Sequence, residues 1–173
     1  MFYKDRPRIK VPYSKKHKII DILSLLGIVL MAGLGYLASL YMPEQVPVHF
    51  NIVGNPDGYG SPDFFLLGSY ILTGILLFTW VSLSLLRLIP HYFNYPVDVE
   101  ITEKNAGKQY QIGVDLMYTM KLCIVLTFLF IQIMMIYSAF SGKIGYVFLL
   151  VFPPLMMMFY FIRVSTLKSI KNK

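Results

Sequence analysis

The sequence predicts an all-α membrane protein with four transmembrane helices, both termini in the cytoplasm, and a short ordered cap between the first two helices. Of its 173 residues, 56 % are hydrophobic and only 14 % are charged, too few to cover a soluble domain. Crossing a hydrocarbon core of ~30 Å takes about 20 apolar residues in a helix. Four apolar segments reach membrane-spanning length: 19–42, 64–89, 117–140 and 145–162.

The positive charges are strongly sided along this layout. Of the 16 Lys and Arg residues, all but Lys143 fall before the first span, between the second and third, at their flanks, or after the fourth. An excess of Lys and Arg marks the cytoplasmic face of a membrane protein. The basic arm 1–18, the connection 90–116 and the basic tail 163–173 are therefore predicted inside. Anionic lipid is the expected partner of that surface, and nucleic acid is not.

The arm and the first span carry two further predictions. The arm 1–18 is interpreted as a disordered or interfacial tail, with a docking arm for a cytoplasmic partner as the alternative. Asp21 is expected at the membrane interface, where it complements the helix N-terminus. Gly35 and Ser39 have the small-xxx-small spacing that lets membrane helices approach closely, within one bundle or between copies.

The segment 43–63 between the first two spans is the predicted cap. Val46, Val48 and Phe50 alternate with other residues, which is typical of an extended segment. Pro56, Asp57 and Gly58 are residues that favour a turn. The residues predicted to build the cap or bind a partner are Pro47, His49, Asn51, Gly54, Asn55, Asp57, Gly58, Tyr59 and Gly60.

Three interpretations of the cap's polar residues remain open. They form a hydrogen-bonded turn that holds the cap on the bundle, a recognition surface for an extracytoplasmic ligand, or a metal site. The metal site is weak, with His49 and Asp57 as its candidates, because the later bidentate glutamate of a calcium loop is missing. No metal and no cofactor are therefore expected.

The rest of the chain is predicted from capping residues and isolated polar side chains. Ser61 followed by Pro62 is a helix start, which places the second span at 64–89. In the connection 90–116, Thr102 is the predicted N-cap of an amphipathic helix that could continue into the third span, 117–140. There Lys121 is expected to extend its ammonium group to the interface, and Gln132 to form a hydrogen bond between helices.

The fourth span, 145–162, contains two adjacent prolines near its middle. Pro153 and Pro154 are therefore expected to kink this helix.

The cap residues resemble a known family. The pattern from Met42 to Ser61, with Val46-Pro47-Val48-His49-Phe50-Asn51 and Asp57-Gly58-Tyr59-Gly60, is similar to the bacterial membrane domain of unknown function family 1648. The segments around Phe93 and Thr102 resemble the short form found in Bacteroidota. The resemblance implies a bacterial inner membrane. The same domain occurs in the larger immunity protein against the sporulation-delay toxin, which has additional spans.

No sequence motif of an enzyme stands out. There is no phosphate loop, nucleophile elbow or HExxH, and the spans are nearly free of the ionisable residues that mark ion pathways. The sequence therefore favours a non-catalytic inner-membrane protein, either an accessory subunit of a membrane protein complex or an immunity- or signalling-type peptide binder. A small-solute transporter or channel component is the alternative.

Overall fold

The protein consists of four helices and one β-hairpin. The computed structural model describes residues 6–51, 55–96, 98–142 and 151–172. Within these ranges the elements in chain order are helix α1 (Lys15–Ser39), strands β1 (Val46–Phe50) and β2 (Pro56–Gly60), helix α2 (Pro62–Leu86), a short 3-10 turn (Pro90–Tyr92), helix α3 (Ala106–Ser141) and helix α4 (Phe152–Lys171). The hairpin lies at one end of the bundle, the hairpin end. Residues 6–14 lie at the other, the arm end.

Three of the described helices, α1, α2 and α3, are long and apolar enough to cross a membrane. Four spans were expected. Of the fourth, 145–162, residues 145–150 lie outside the described part of the chain, and α4 begins only at Phe152. Its two prolines stand in the first helical turn, where a missing amide N–H breaks no intrahelical hydrogen bond. The kink expected at Pro153 and Pro154 requires helix on both sides of the prolines, and residues 145–150 on the preceding side lie outside the described residues.

Side-chain caps fix the starts of α1 and α2. Ser14 accepts a hydrogen bond from the amide of His17 at 3.2 Å, and Nδ1 of His17 accepts one from the amide of Ser14 at 3.4 Å. This reciprocal capping box starts α1 four residues earlier than the sequence predicted. Ser61 caps α2 as predicted, accepting from the amide of Phe64 at 3.2 Å, with Pro62 in the first position.

Replacing Ser61 tests this helix start. We expect Ser61→Ala to lower the free energy of unfolding by about 1 kcal/mol, because an amide of the first turn loses its acceptor. Ser61→Asp should retain wild-type stability, since a carboxylate also caps. Thermal unfolding of the purified protein in detergent measures both variants. Equal stability of the alanine and aspartate variants would contradict the capping role.

Helix α3 is continuous from Ala106 to Ser141, so the connecting helix and the third span are one element of 36 residues. The expected N-cap at Thr102 is wrong. Thr102 to Asn105 form a turn in which Asn105 Oδ1 accepts from the amide of Thr102 at 2.8 Å, and the helix follows it. Gly113 provides room for the preceding loop, since a Cβ there would lie 3.1 Å from the hydroxyl of Tyr95.

The arm packs on the helices and is not a disordered tail from Arg6 onward. Arg6 donates to the carbonyl oxygens of His91 and Phe93, and the hydroxyl of Tyr110 donates to the carbonyl of Pro7 at 2.8 Å. Val11 is buried in the cluster at the arm end, whose buried members are Val11, Ile20, Val99, Ile101, Ala106, Tyr110, Val114 and Tyr118. A second cluster, of Ile28, Met31, Leu76, Val125 and Leu129, fills the middle of the bundle.

Candidate functional site

The hairpin is seated on the helices by the first two residues of β1, Val46 and Pro47, which are both buried. The two strands are antiparallel, with Val46 opposite Gly60 and Pro47 opposite Tyr59. Val46 is fully buried against Phe65 of α2 and Ala139 of α3. The first strand therefore anchors the hairpin, and it carries the main hairpin contacts with α2 and α3.

The turn predicted at Pro56-Asp57-Gly58 is wrong, because these residues begin β2. The chain reverses before them. The amide of Asn51 donates to the carbonyl of Asn55 at 2.9 Å, and the side chain of Asn51 accepts from the amide of Asn55 at 3.0 Å. Gly54 lies outside the described residues.

The exposed face of the hairpin carries His49, Asp57 and Tyr59. Nδ1 of His49 and Oδ1 of Asp57 are 2.5 Å apart, across the two strands. The side chains of His49 and Asp57 are 73 % and 42 % exposed, and Tyr59 is 60 % exposed. The pair therefore joins the strands on the outside of the hairpin and does not form a buried link to the bundle.

Two glycines allow the strands to lie close together and close to α2. A Cβ at Gly58 would lie 2.9 Å from Cβ of His49, and one at Gly60 would lie 3.0 Å from the ring of Phe64. Both distances are too short for ordinary carbon contacts. The two glycines of the Asp-Gly-Tyr-Gly sequence therefore stand where His49 and Phe64 leave no room for a side chain.

His49 and Asp57 supply two possible metal ligands in contact with each other. In the part of the chain that the structure describes, no group of three or more His, Cys, Asp or Glu side chains gathers in a metal-binding arrangement. A bound zinc or calcium ion takes at least three protein ligands in most sites. The geometry of the described pair is that of a hydrogen-bonded cross-strand contact.

A second polar site lies at the arm end, inside the bundle. Lys121 of α3 is 1 % exposed and donates to Asp21 of α1 and, at 2.9 Å, to Ser84 of α2. Trp80 donates through Nε1 to the carbonyl of Asp21 at 3.2 Å. The expectation that Lys121 reaches the interface is therefore wrong. The carboxylate of Asp21 neutralises the Lys121 ammonium inside the bundle, so the lysine side chain does not need to reach water.

Two tyrosines contact this ion pair, one through its ring and one through its hydroxyl. The Lys121 ammonium lies 4.1 Å from the ring centroid of Tyr118, a cation–π distance. Tyr13 donates its hydroxyl to Asp21 at 2.6 Å. Burial, together with this hydrogen bond, raises the pKa of Tyr13 to about 12, so its phenol remains a donor at physiological pH.

A buried histidine lies beside the same tyrosine. The ring of His17 is fully buried, stacks on Tyr118 with centroids 4.4 Å apart, and bonds through Nε2 to Asp115 at 2.7 Å. Since Nδ1 of His17 accepts from the amide of Ser14, Nε2 is the ring nitrogen that faces Asp115. The arm end therefore holds two linked acid–base contacts between α1 and α3.

A third polar contact joins α2 and α3 nearer the hairpin. Gln132 donates to the hydroxyl of Ser69 at 3.0 Å, both side chains being buried. Gly35 lies against this pair. Ser39 does not, because its hydroxyl bonds to the carbonyl of Tyr36 in its own helix. The small-residue spacing therefore serves a helix contact at only one of its two positions.

The sequence analysis singled out the hairpin and missed the ion pair. The available signal was the presence of two opposite charges, Asp21 and Lys121, in apolar segments whose predicted directions bring both to the same face of the membrane. Hydrogen-bonded opposite charges are a common way to bury ionisable residues in a membrane.

Comparison with known proteins adds one finding. Residues 26–74 match the model of a family described as a domain of unknown function (DUF1648). The match contains the second half of α1, the hairpin and the first half of α2, and it confirms the resemblance drawn from the hairpin residues. No curated protein and no solved structure matches the chain.

Proposed function

Starting from a DUF1648 domain at residues 26–74, we propose that this membrane protein acts without catalysis and binds a protein partner through the exposed face of its hairpin. Its role is that of an accessory subunit of a membrane protein complex, or of an immunity- or signalling-type binder of an extracytoplasmic peptide. It resides in a bacterial inner membrane with both termini in the cytoplasm and the hairpin outside.

The observation that carries the proposal is the contrast between buried and exposed residues of the hairpin. Val46 is 0 % exposed, whereas Tyr59 is 60 % exposed and the side chains of His49 and Asp57 are exposed as well. A hairpin that only closed the end of the bundle would not need exposed polar and aromatic side chains on its outer face. Exposed aromatic side chains held on a fixed backbone are typical of protein interfaces.

The charge distribution supports the proposed orientation, with both termini in the cytoplasm and the hairpin outside. In the sequence, all but one of the 16 Lys and Arg residues fall in or beside segments 1–18, 90–116 and 163–173, and segment 42–86, which includes the hairpin, contains none. An arrangement with the arm inside follows the positive-inside rule.

The alternative of a transporter or channel is less well supported. Between the Asp21–Lys121 pair and the Gln132–Ser69 contact, the described helices pack through the apolar cluster of Ile28, Met31, Leu76, Val125 and Leu129. A solute or ion path needs polar groups or a wet cavity at this depth. The two polar sites are better explained as separate contacts between helices.

Purification of the tagged full chain from its native host in mild detergent tests the proposal. We expect a membrane protein or peptide to co-purify in stoichiometric amount, and the double variant His49→Ala/Asp57→Ala to lose at least about tenfold in affinity, about 1.4 kcal/mol. Quantitative mass spectrometry of the purified complex provides the measurement.

A matched control lies at the arm end. Glu103→Ala/Lys104→Ala also removes one acidic and one basic exposed residue, and it should retain the partner. Thermal unfolding of both double variants shows whether they are folded. A wild-type protein that purifies alone as a homo-oligomer, or a folded hairpin variant that retains its partner fully, would contradict partner binding through this face.

A further inference from the structure

The hairpin has an outer strand with an unpaired edge. The sheet has two strands in the part of the chain that the structure describes, and β1 is the one that carries the main contacts with α2 and α3. The far edge of β2 is paired with no described strand. Half of the backbone N–H and C=O groups along such an edge point away from the neighbouring strand and are available to another chain.

Among the described residues, no further strand pairs with this edge and β2 carries no lysine, although the strand is short and contains the charged Asp57. Exposed edges are commonly shielded by lysine, by proline within the strand, or by a covering element. The only proline of β2 is Pro56, at its first position, and Gly58 and Gly60 carry no side chain that would hinder a neighbouring backbone. Asp57 and Tyr59 are the exposed side chains of the strand.

In the described part of the chain, the surroundings of the edge favour positive charge. The carboxylates of Glu44, Asp57 and Asp63 are all exposed, at the base and along the outer strand of the hairpin. No Lys or Arg occurs from residue 42 to residue 86. Tyr59 and Phe64 are each 60 % exposed, and aromatic faces attract ammonium and guanidinium groups.

We propose that the free edge of β2 binds an extended segment of a partner polypeptide that carries Lys or Arg, as a third strand of the sheet. Backbone hydrogen bonds provide the attachment in this mode of recognition, and side chains on alternate positions provide the specificity. The three carboxylates and Tyr59 select a cationic segment. This inference rests on the proposed function, because it specifies the hairpin surface and the chemistry of its partner.

A short synthetic peptide that alternates lysine with valine serves as the probe. It is added to the purified full chain in detergent, and hydrogen exchange of the backbone amides of residues 57–60 is followed by mass spectrometry. We expect exchange at the outward amides to slow by about tenfold when nine sites in ten are occupied. The same peptide with N-methylated alternate amides should have no effect, because it cannot extend the sheet.

Charge is tested separately with a peptide in which glutamate replaces lysine, and with the variant Glu44→Gln/Asp57→Asn/Asp63→Asn. Both changes should weaken protection at least about tenfold. Equal protection by the N-methylated or the glutamate peptide, no protection by the lysine peptide, or slow exchange of all these amides before any peptide is added would overturn the proposal.

These experiments distinguish failure of strand addition from failure of the proposed function. A partner that co-purifies through the hairpin face, combined with an edge that no peptide protects, leaves the proposed function standing and removes strand addition. A protected edge in a protein that co-purifies with nothing retains the binding mode and removes the accessory role.

Discussion

Replacing Lys121 with methionine should destabilise the protein more than any other single change of charge in its described part. The variant leaves the Asp21 carboxylate inside the bundle with only the hydroxyls of Tyr13 and Ser84 as side-chain partners. Breaking a buried ion pair by removing one partner costs about 3–5 kcal/mol, because the remaining charge is uncompensated. Methionine has nearly the shape of lysine, so little of the loss should come from packing.

The partner variant and the double variant complete the cycle. Asp21→Asn strands the Lys121 ammonium in the same place and should be destabilised by a similar amount. Asp21→Asn/Lys121→Met removes both charges and should recover most of the loss, since replacing a whole buried pair by neutral groups is often nearly neutral. The free energy of unfolding in detergent is the quantity to compare.

A surface lysine gives the matched control. Lys168 is exposed on α4, and Lys168→Met removes the same charge without exposing a buried carboxylate. We expect it to remain within about 0.5 kcal/mol of the wild type. Additive losses in the double variant, or a Lys121→Met protein as stable as Lys168→Met, would contradict the buried pair.

The ion pair also shows where prediction from the sequence stops. Asp21 and Lys121 lie in separate apolar segments of the sequence, and each charge was interpreted by itself. Each side chain was therefore expected to reach the nearest water. Their pairing depends on the crossing of α1 and α3, which is a tertiary fact. The apolar length of the first three spans and the Ser61–Pro62 helix start were predictable, because each depends on neighbours in the sequence alone.

The hairpin shows the same limit of prediction from the sequence. The alternation of Val46 and Val48 correctly predicted an extended segment, although Pro47 between them is buried as well. Pro56, Asp57 and Gly58 were misassigned to a turn because all three residue types are frequent in turns. In the structure, Gly58 is needed for its closeness to His49 on the opposite strand. The sequence alone did not distinguish a glycine required by packing from one required by a turn.

Gly35→Ala should produce the second large effect. A Cβ at this position would lie 2.2 Å from the hydroxyl oxygen of Ser69 and 2.9 Å from Nε2 of Gln132. The added methyl must therefore push α1 away or break the Ser69–Gln132 hydrogen bond. Overpacking costs about 1–3 kcal/mol, and an unsatisfied buried polar group costs a similar amount. We expect a loss of free energy of unfolding of about 2–4 kcal/mol.

Gly33, one half-turn earlier in the same helix, provides the control. Nothing lies within 4 Å of a Cβ built there, so Gly33→Ala should be neutral, or stabilising by up to about 1 kcal/mol through helix propensity. Gly35→Ala should cost less when it is added to Ser69→Gly than when it is added to the wild type, because removing the serine side chain makes room for the methyl. If Gly35→Ala is as stable as Gly33→Ala, the three helices do not meet at Gly35 as described. If the stability lost through Gly35→Ala depends on whether Ser69 is present, the strain arises at the contact between Gly35 and Ser69.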